Sequence, residues 1–222
     1  MKCIARRVAF DVTSTVTLEY SRNITNVDNR PQDIKFNLDG TVIFVLGTED
    51  DAVHRWSLST AYDISSITQA TIVADSTSTS VGGDPRGLDF NKDRTKMFIL
   101  DGQDQRVEEY NLSTPFDLTT FSLVTSAGIN LTGTTNNPMG ITFSANGKRL
   151  FVASHNGHTV TQISLTKAFD TSSFTVDGRV FFNNSTLGSL KQIRTLTFSN
   201  SGLIMFVGDD FSGGTDMDRV FE

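Results

Sequence analysis

One cysteine, Cys3, stands in 222 residues, so no disulfide can form within the chain and the fold must be held by packing and strand pairing. There are only 4 prolines and 1 tryptophan. No stretch approaches the roughly 20 apolar residues that cross a bilayer as a helix. Lys2, Arg6 and Arg7 are followed by Ala9-Phe10-Asp11 rather than an apolar run, so no secretory signal is expected and synthesis in the cytoplasm is. The 19 basic residues are scattered against 25 acidic ones, for a net charge of −6, which argues against nucleic acid and anionic lipid as partners. The usual nucleophile and phosphate motifs are missing too: there is no Gly-x-Ser-x-Gly elbow and no glycine-rich phosphate loop.

What the chain has instead is phenylalanine, 17 of them, at regular intervals. Asp33-Ile34-Lys35-Phe36-Asn37-Leu38-Asp39-Gly40 recurs from Gly87 to Arg94, from Gly140 to Gly147 and from Thr195 to Gly202. The anchors Phe36, Phe90, Phe143 and Phe198 are spaced by 54, 53 and 55 residues, and each is followed eight residues later by Phe44, Phe98, Phe151 or Phe206. Trp56, Tyr110 and Ile163 continue the pattern, and Tyr62-Asp63, Phe116-Asp117 and Phe169-Asp170 each begin 26 residues after their anchor. Each copy reads as four strands: an alternating first strand, a tight Asp-Gly-type hairpin turn, an apolar second strand, an alternating third and a looser fourth.

Four antiparallel strands repeated without helices are the pattern of propeller blades, whose faces are buried only by stacking. The expected fold is all-β: one four-bladed β-propeller over 1–222, with blades at about 32–75, 86–130, 139–184 and 194–222. The last copy stops after its third strand, while Phe10-Asp11 and Thr15 to Tyr20 match its missing turn and outer strand. An N-terminal strand at about 10–23 is therefore expected to pair with the C-terminal blade and close the ring, removing two sheet edges.

The string Gly140-Ile141-Thr142-Phe143-Ser144-Ala145-Asn146-Gly147-Lys148-Arg149-Leu150-Phe151-Val152-Ala153-Ser154, with Tyr110 to Leu118, resembles propeller repeats of marine bacteria and their bacteriophages, and more distantly lactonase-like and surface-antigen propeller repeats. The resemblance concerns the scaffold. It implies a virion or cell-surface binding role and names no ligand.

Loops joining second to third strands should emerge on one rim, and three are acidic: Glu49-Asp50-Asp51, Asp101 to Asp104, and Asp209-Asp210 with Asp216 and Asp218. Asp209, Asp210, Asp216 and Asp218, beside Gly213-Gly214, are the candidate ligands for a calcium ion, although the spacing matches no dedicated calcium loop. Asp50, Asp101, His155 and His158 are candidate rim residues for a ligand. Solvated turn carboxylates are the plainer reading, and no other cofactor is implied. The repeated Phe-Asp pair is scaffold: a ring between blades and a carboxylate accepting turn N–H groups.

The functional expectation is a non-enzymatic binding or assembly module that presents its rim to a protein or a glycan, as a monomer or homo-oligomer. The alternative is a metal-dependent hydrolase of lactonase type with a cation near the ring axis, held by Asp50, Asp101 and Asp209.

Overall fold

The repeated alternation of apolar and polar residues produces sheets and almost nothing else. The computed structural model describes residues 2–6, 16–21, 28–74, 83–182, 192–199, 201–209 and 219–221. An N-terminal hairpin joins β1 (Lys2–Arg6) to β2 (Val16–Ser21). The first repeat forms β3 (Pro31–Phe36), β4 (Val42–Gly47), β5 (Ala52–Leu58) and β6 (Ile67–Ala74). The second forms β7 (Pro85–Phe90), β8 (Lys96–Asp101), β9 (Arg106–Leu112), β10 (Phe121–Leu123) and the short β11 (Ile129–Asn130). The third forms β12 (Pro138–Phe143), β13 (Arg149–Ser154), β14 (Thr159–Lys167) and β15 (Asp170–Phe181), and the fourth β16 (Ile193–Phe198), β17 (Met205–Asp209) and β18 (Arg219–Phe221).

Every pairing between these strands is antiparallel, and each repeat makes one sheet in chain order from its first strand outward, with β11 adding to β9. The second strands are among the most buried, β4 along its whole length. Among the described residues the helical structure is two single turns, Ile64–Ser66 and Leu118–Thr120, and no helix is long and apolar enough to cross a membrane.

The first strands pack as neighbours in the order β3, β7, β12, β16. Aromatic rings fill the seams. Phe44 of the first sheet meets Phe90 at 5.0 Å and Phe116 at 5.5 Å, and Phe98 of the second meets Phe143 at 4.5 Å and Phe169 at 6.4 Å. The turn aromatics Phe116 and Phe169 thus lie between their own sheets and the ones before them. The aspartate beside each turn aromatic holds the turn: Asp63, Asp117 and Asp170 accept the N–H of Ser65, Thr119 and Ser172 at 2.8, 3.0 and 3.0 Å. Carboxylates also stitch one sheet to the next, Asp33 accepting the Leu88 N–H and Asp89 the Phe143 N–H, each at 2.9 Å. Buried Glu109 accepts from Lys96 and from both the N–H and hydroxyl of Thr171, tying the second sheet to the third.

One expectation meets a different structure. The Asp39-Gly40 turn is not a two-residue hairpin: Phe36 pairs with Ile43, and the Asn37 side chain accepts the Val42 N–H at 2.9 Å, so the loop closes over five residues around a polar side chain. Asn91, Ser144 and Ser199 do the same for Lys96, Arg149 and Ile204. For the N-terminal strand, expected to pair with the C-terminal blade, the hydrogen-bonded partner among the described residues is β1. Among the described residues β16 and β3 do not make a contact as extensive as those between the other first strands. Ile34 shows the effect: it is 45% exposed, where its counterparts Leu88, Ile141 and Leu196 are 0%, 2% and 4% exposed.

Candidate functional site

The loops between second and third strands share one backbone form. In the first three sheets each puts a non-glycine residue in the left-handed region at the same place: Asp51 at φ 51°, Gln105 at φ 49° and His158 at φ 49°. The scaffold is the same and the side chains differ. That combination separates what the fold requires from what a ligand could read.

Asp101, expected as a rim ligand, is 0% exposed, its carboxylate accepting the N–H groups of Gln103 and Asp104 in its own loop and of Gly83 ahead of β7. His155 is on the rim and engages its neighbour Asn156. His158 follows Gly157 in the same loop, with a buried Nδ1 that has no hydrogen-bond partner among the described residues. Among the described residues neither histidine belongs to a group of three ligating side chains whose atoms lie within 4.8 Å of one another. Asp209 ends β17, and Asp210, Asp216 and Asp218, the rest of the expected calcium set, lie outside the described residues.

Asp50 does find partners. Its Oδ1 is 3.2 Å from His54 Nε2, and Asp28 Oδ2 is 3.9 Å from the same nitrogen. Among the described residues this is the one group of three whose ligating atoms all lie within 4.8 Å of one another. Asp28 and His54 are each 1% exposed, while Asp50 keeps an open side. Asp28 accepts the N–H of Arg30 at 2.5 Å and of Glu49 at 3.1 Å, and the His54 ring stacks on Trp56 with centroids 5.9 Å apart. Burial raises the Asp50 carboxyl above its ordinary value although His54 pulls the other way; burial also raises Asp51, helped by Asp84, Asp50, Asp101 and Asp28. Negative charge is therefore in excess at this end of the first and second sheets.

Sequence reading found Asp50 and missed its partners. His54 reads as an inward position of β5, and Asp28 sits ahead of the first repeat. The one local signal was the four-residue spacing of Asp50 and His54.

At the opposite end, Phe143, Asn146, Phe151, Phe198 and Gly202 help line a cavity of about 610 Å³ between the third and fourth sheets.

No family model matches this chain, and no curated protein matches it. Solved structures do. A nidogen/laminin complex aligns over 89% of this chain at TM-score 0.54 and 16% identity, covering 61% of its own matched chain. A 6-phosphogluconolactonase-like protein of Bacteroides uniformis aligns over 99% of this chain and 58% of its own, with TM-score 0.56 and 12% identity. A luciferin-regenerating enzyme gives 93%, 65%, 0.55 and 14% in the same order. The chain spans about three fifths of the length of these structures. At such identities the likeness shows the fold alone: an all-β, propeller-like arrangement of antiparallel sheets.

Proposed function

We propose that this protein is a non-enzymatic binding or assembly module whose rim loops meet a protein or a glycan on a virion or cell surface. The observation that carries this reading is the rim itself, where equivalent left-handed positions hold Asp51, Gln105 and His158 on a repeated scaffold. Catalysis needs one set of groups assembled once, whereas recognition uses varied side chains on a constant frame. The third sheet adds support for assembly: its outer strand β15 runs twelve residues and exposes Val176, Val180 and Phe181 at 39%, 52% and 53%. A glycan array and a direct binding assay on purified chain test the reading. Saturable binding that Gln105→Ala weakens supports it; turnover of a lactone or glycoside with no binder contradicts it.

The fold that goes with this reading is a single domain of four blades, with β2 serving as the outer strand of the fourth. Two observations support that. β2 lies against the Ile64–Ser66 turn of the first sheet, as β6 lies against the Leu118–Thr120 turn of the second. The turn rings of Tyr62 and Phe169 cover Gly40 and Gly147, but no described atom lies within 4 Å of a Cβ built on Gly202, beside the Phe151–Phe198 pair. Phe10-Asp11, outside the described residues, is the one remaining turn pair for that place.

A hydrolase of lactonase type keeps one observation in its favour, the meeting of Asp50 with Asp28 and His54. An esterase and lactonase screen decides between the two.

A further inference from the structure

A fully buried imidazole normally has both nitrogens accounted for. His54 does not: Nδ1 has no hydrogen-bond partner among the described residues, and its polar engagement is at Nε2, turned toward two carboxylates. If the ring is neutral, a single proton is set against two negative groups. If it is charged, a buried Nδ1–H goes unpaired and costs about 1–3 kcal/mol. Asp28 is as deeply buried, and the two N–H groups it accepts carry no full positive charge. A buried carboxylate held this way is expensive unless a cation compensates it.

We propose that Asp28 Oδ2, Asp50 Oδ1 and His54 Nε2 hold a divalent transition-metal cation of the zinc class. Bonds of roughly 2.1 Å to a tetrahedral cation set neighbouring ligand atoms about 3.4 Å apart. The separations of 3.2 Å and 3.9 Å from His54 Nε2 bracket that value. The imidazole favours zinc over calcium, which prefers six to eight oxygen ligands. A cation in place of the shared proton serves the Nε2 lone pair and both carboxylates together. Gly47 leaves the space for the Asp28 carboxylate that this site needs: a Cβ there would come 1.9 Å from Asp28 Oδ2. The open side of Asp50 leaves a fourth position at the rim for water or for an oxygen of a bound partner. The site forms in the free chain whether the rim binds a partner or acts on a substrate, so metal uptake and partner binding succeed or fail separately.

Titration calorimetry of the full chain with zinc chloride, after chelator treatment, is the test. One zinc per folded chain is expected. Asp50→Asn should weaken zinc binding by at least about tenfold, while Asp104→Asn, an exposed carboxylate of the neighbouring loop, should leave it unchanged. His54→Gln should abolish it; if that buried change prevents folding, the exposed Asp50→Asn still decides. The proposal is overturned if folded wild-type chain takes up no zinc, if Asp50→Asn and Asp104→Asn weaken binding equally, or if equimolar calcium displaces the zinc.

Discussion

The carboxylate of Asp28 occupies the space that a side chain at Gly47 would fill, with Oδ2 only 1.9 Å from the Cβ position. In the second sheet the residue equivalent to Gly47 is Asp101, which caps the same loop from within its own strand by accepting the Gln103 N–H. In the first sheet the cap comes from outside: Asp28 accepts the equivalent N–H, that of Glu49. One loop geometry is thus held by carboxylates from two different places in the chain.

Gly47→Ala therefore cannot be a mild change. The methyl group forces Asp28 out and breaks its part-buried hydrogen bonds from the Arg30 and Glu49 N–H groups, a loss of about 1–3 kcal/mol for bonds to a charged acceptor. Urea denaturation should show a lower midpoint with an unchanged slope. A variant as stable as the wild type would mean that Asp28 does not hold this loop.

The aromatic seams predict an asymmetry between two similar substitutions. Phe98 is 0% exposed between the second and third sheets, so Phe98→Ala should cost about 3–5 kcal/mol. Tyr62 has the equivalent turn position of Phe116 but is 54% exposed, packed in a tilted pair only with Phe36 among the described aromatics, and Tyr62→Ala should cost about 1 kcal/mol or less. Paired denaturation curves check the difference. Equal losses would show that the first sheet is covered as fully as the second.

Charge crowding at the rim predicts a pH-dependent gain. Asp51 has its carboxyl raised by burial and by four neighbouring aspartates, so its ionised form opposes folding. A raised carboxyl costs stability once pH exceeds its unfolded value, and the cost vanishes in acid where it is protonated. Asp51→Asn, which tolerates the left-handed backbone, should gain at most about 1 kcal/mol at pH 7 and nothing near pH 3. The turn carboxylates act with the opposite sign. Asp63, Asp117 and Asp170 are lowered by side-chain hydrogen bonds from Ser65, Thr119 and Ser172, so their contribution is present at pH 7 and is lost as pH falls below the ordinary value of 3.8. Denaturation midpoints across that range, for the wild type and Asp51→Asn, read both effects.

The repeat was legible because it is written in one residue type: Phe36, Phe90, Phe143 and Phe198 mark the first strands, and Phe44, Phe98, Phe151 and Phe206 the second. The role of the Phe-Asp turn followed from its recurrence. Less legible was anything that depended on one copy departing from the others. Nothing near Asp28 in sequence reveals that Gly47 admits it, because that contact joins the segment ahead of the first repeat to the end of β4. His54 could not be told from Thr161, its buried counterpart in β14, until the strands were paired. Strand matching led to the expectation of an outer strand at Thr15 to Tyr20, but it could not see that Lys2–Arg6 pairs with Val16–Ser21 locally.

Deleting residues 1–22 and following hydrogen exchange tests the four-unit account most directly. If β2 completes the arrangement, amides of Ile193–Phe198 and of the Ile64–Ser66 turn should lose protection while those of Pro85–Phe90 keep theirs. Unchanged protection in all three segments would contradict it.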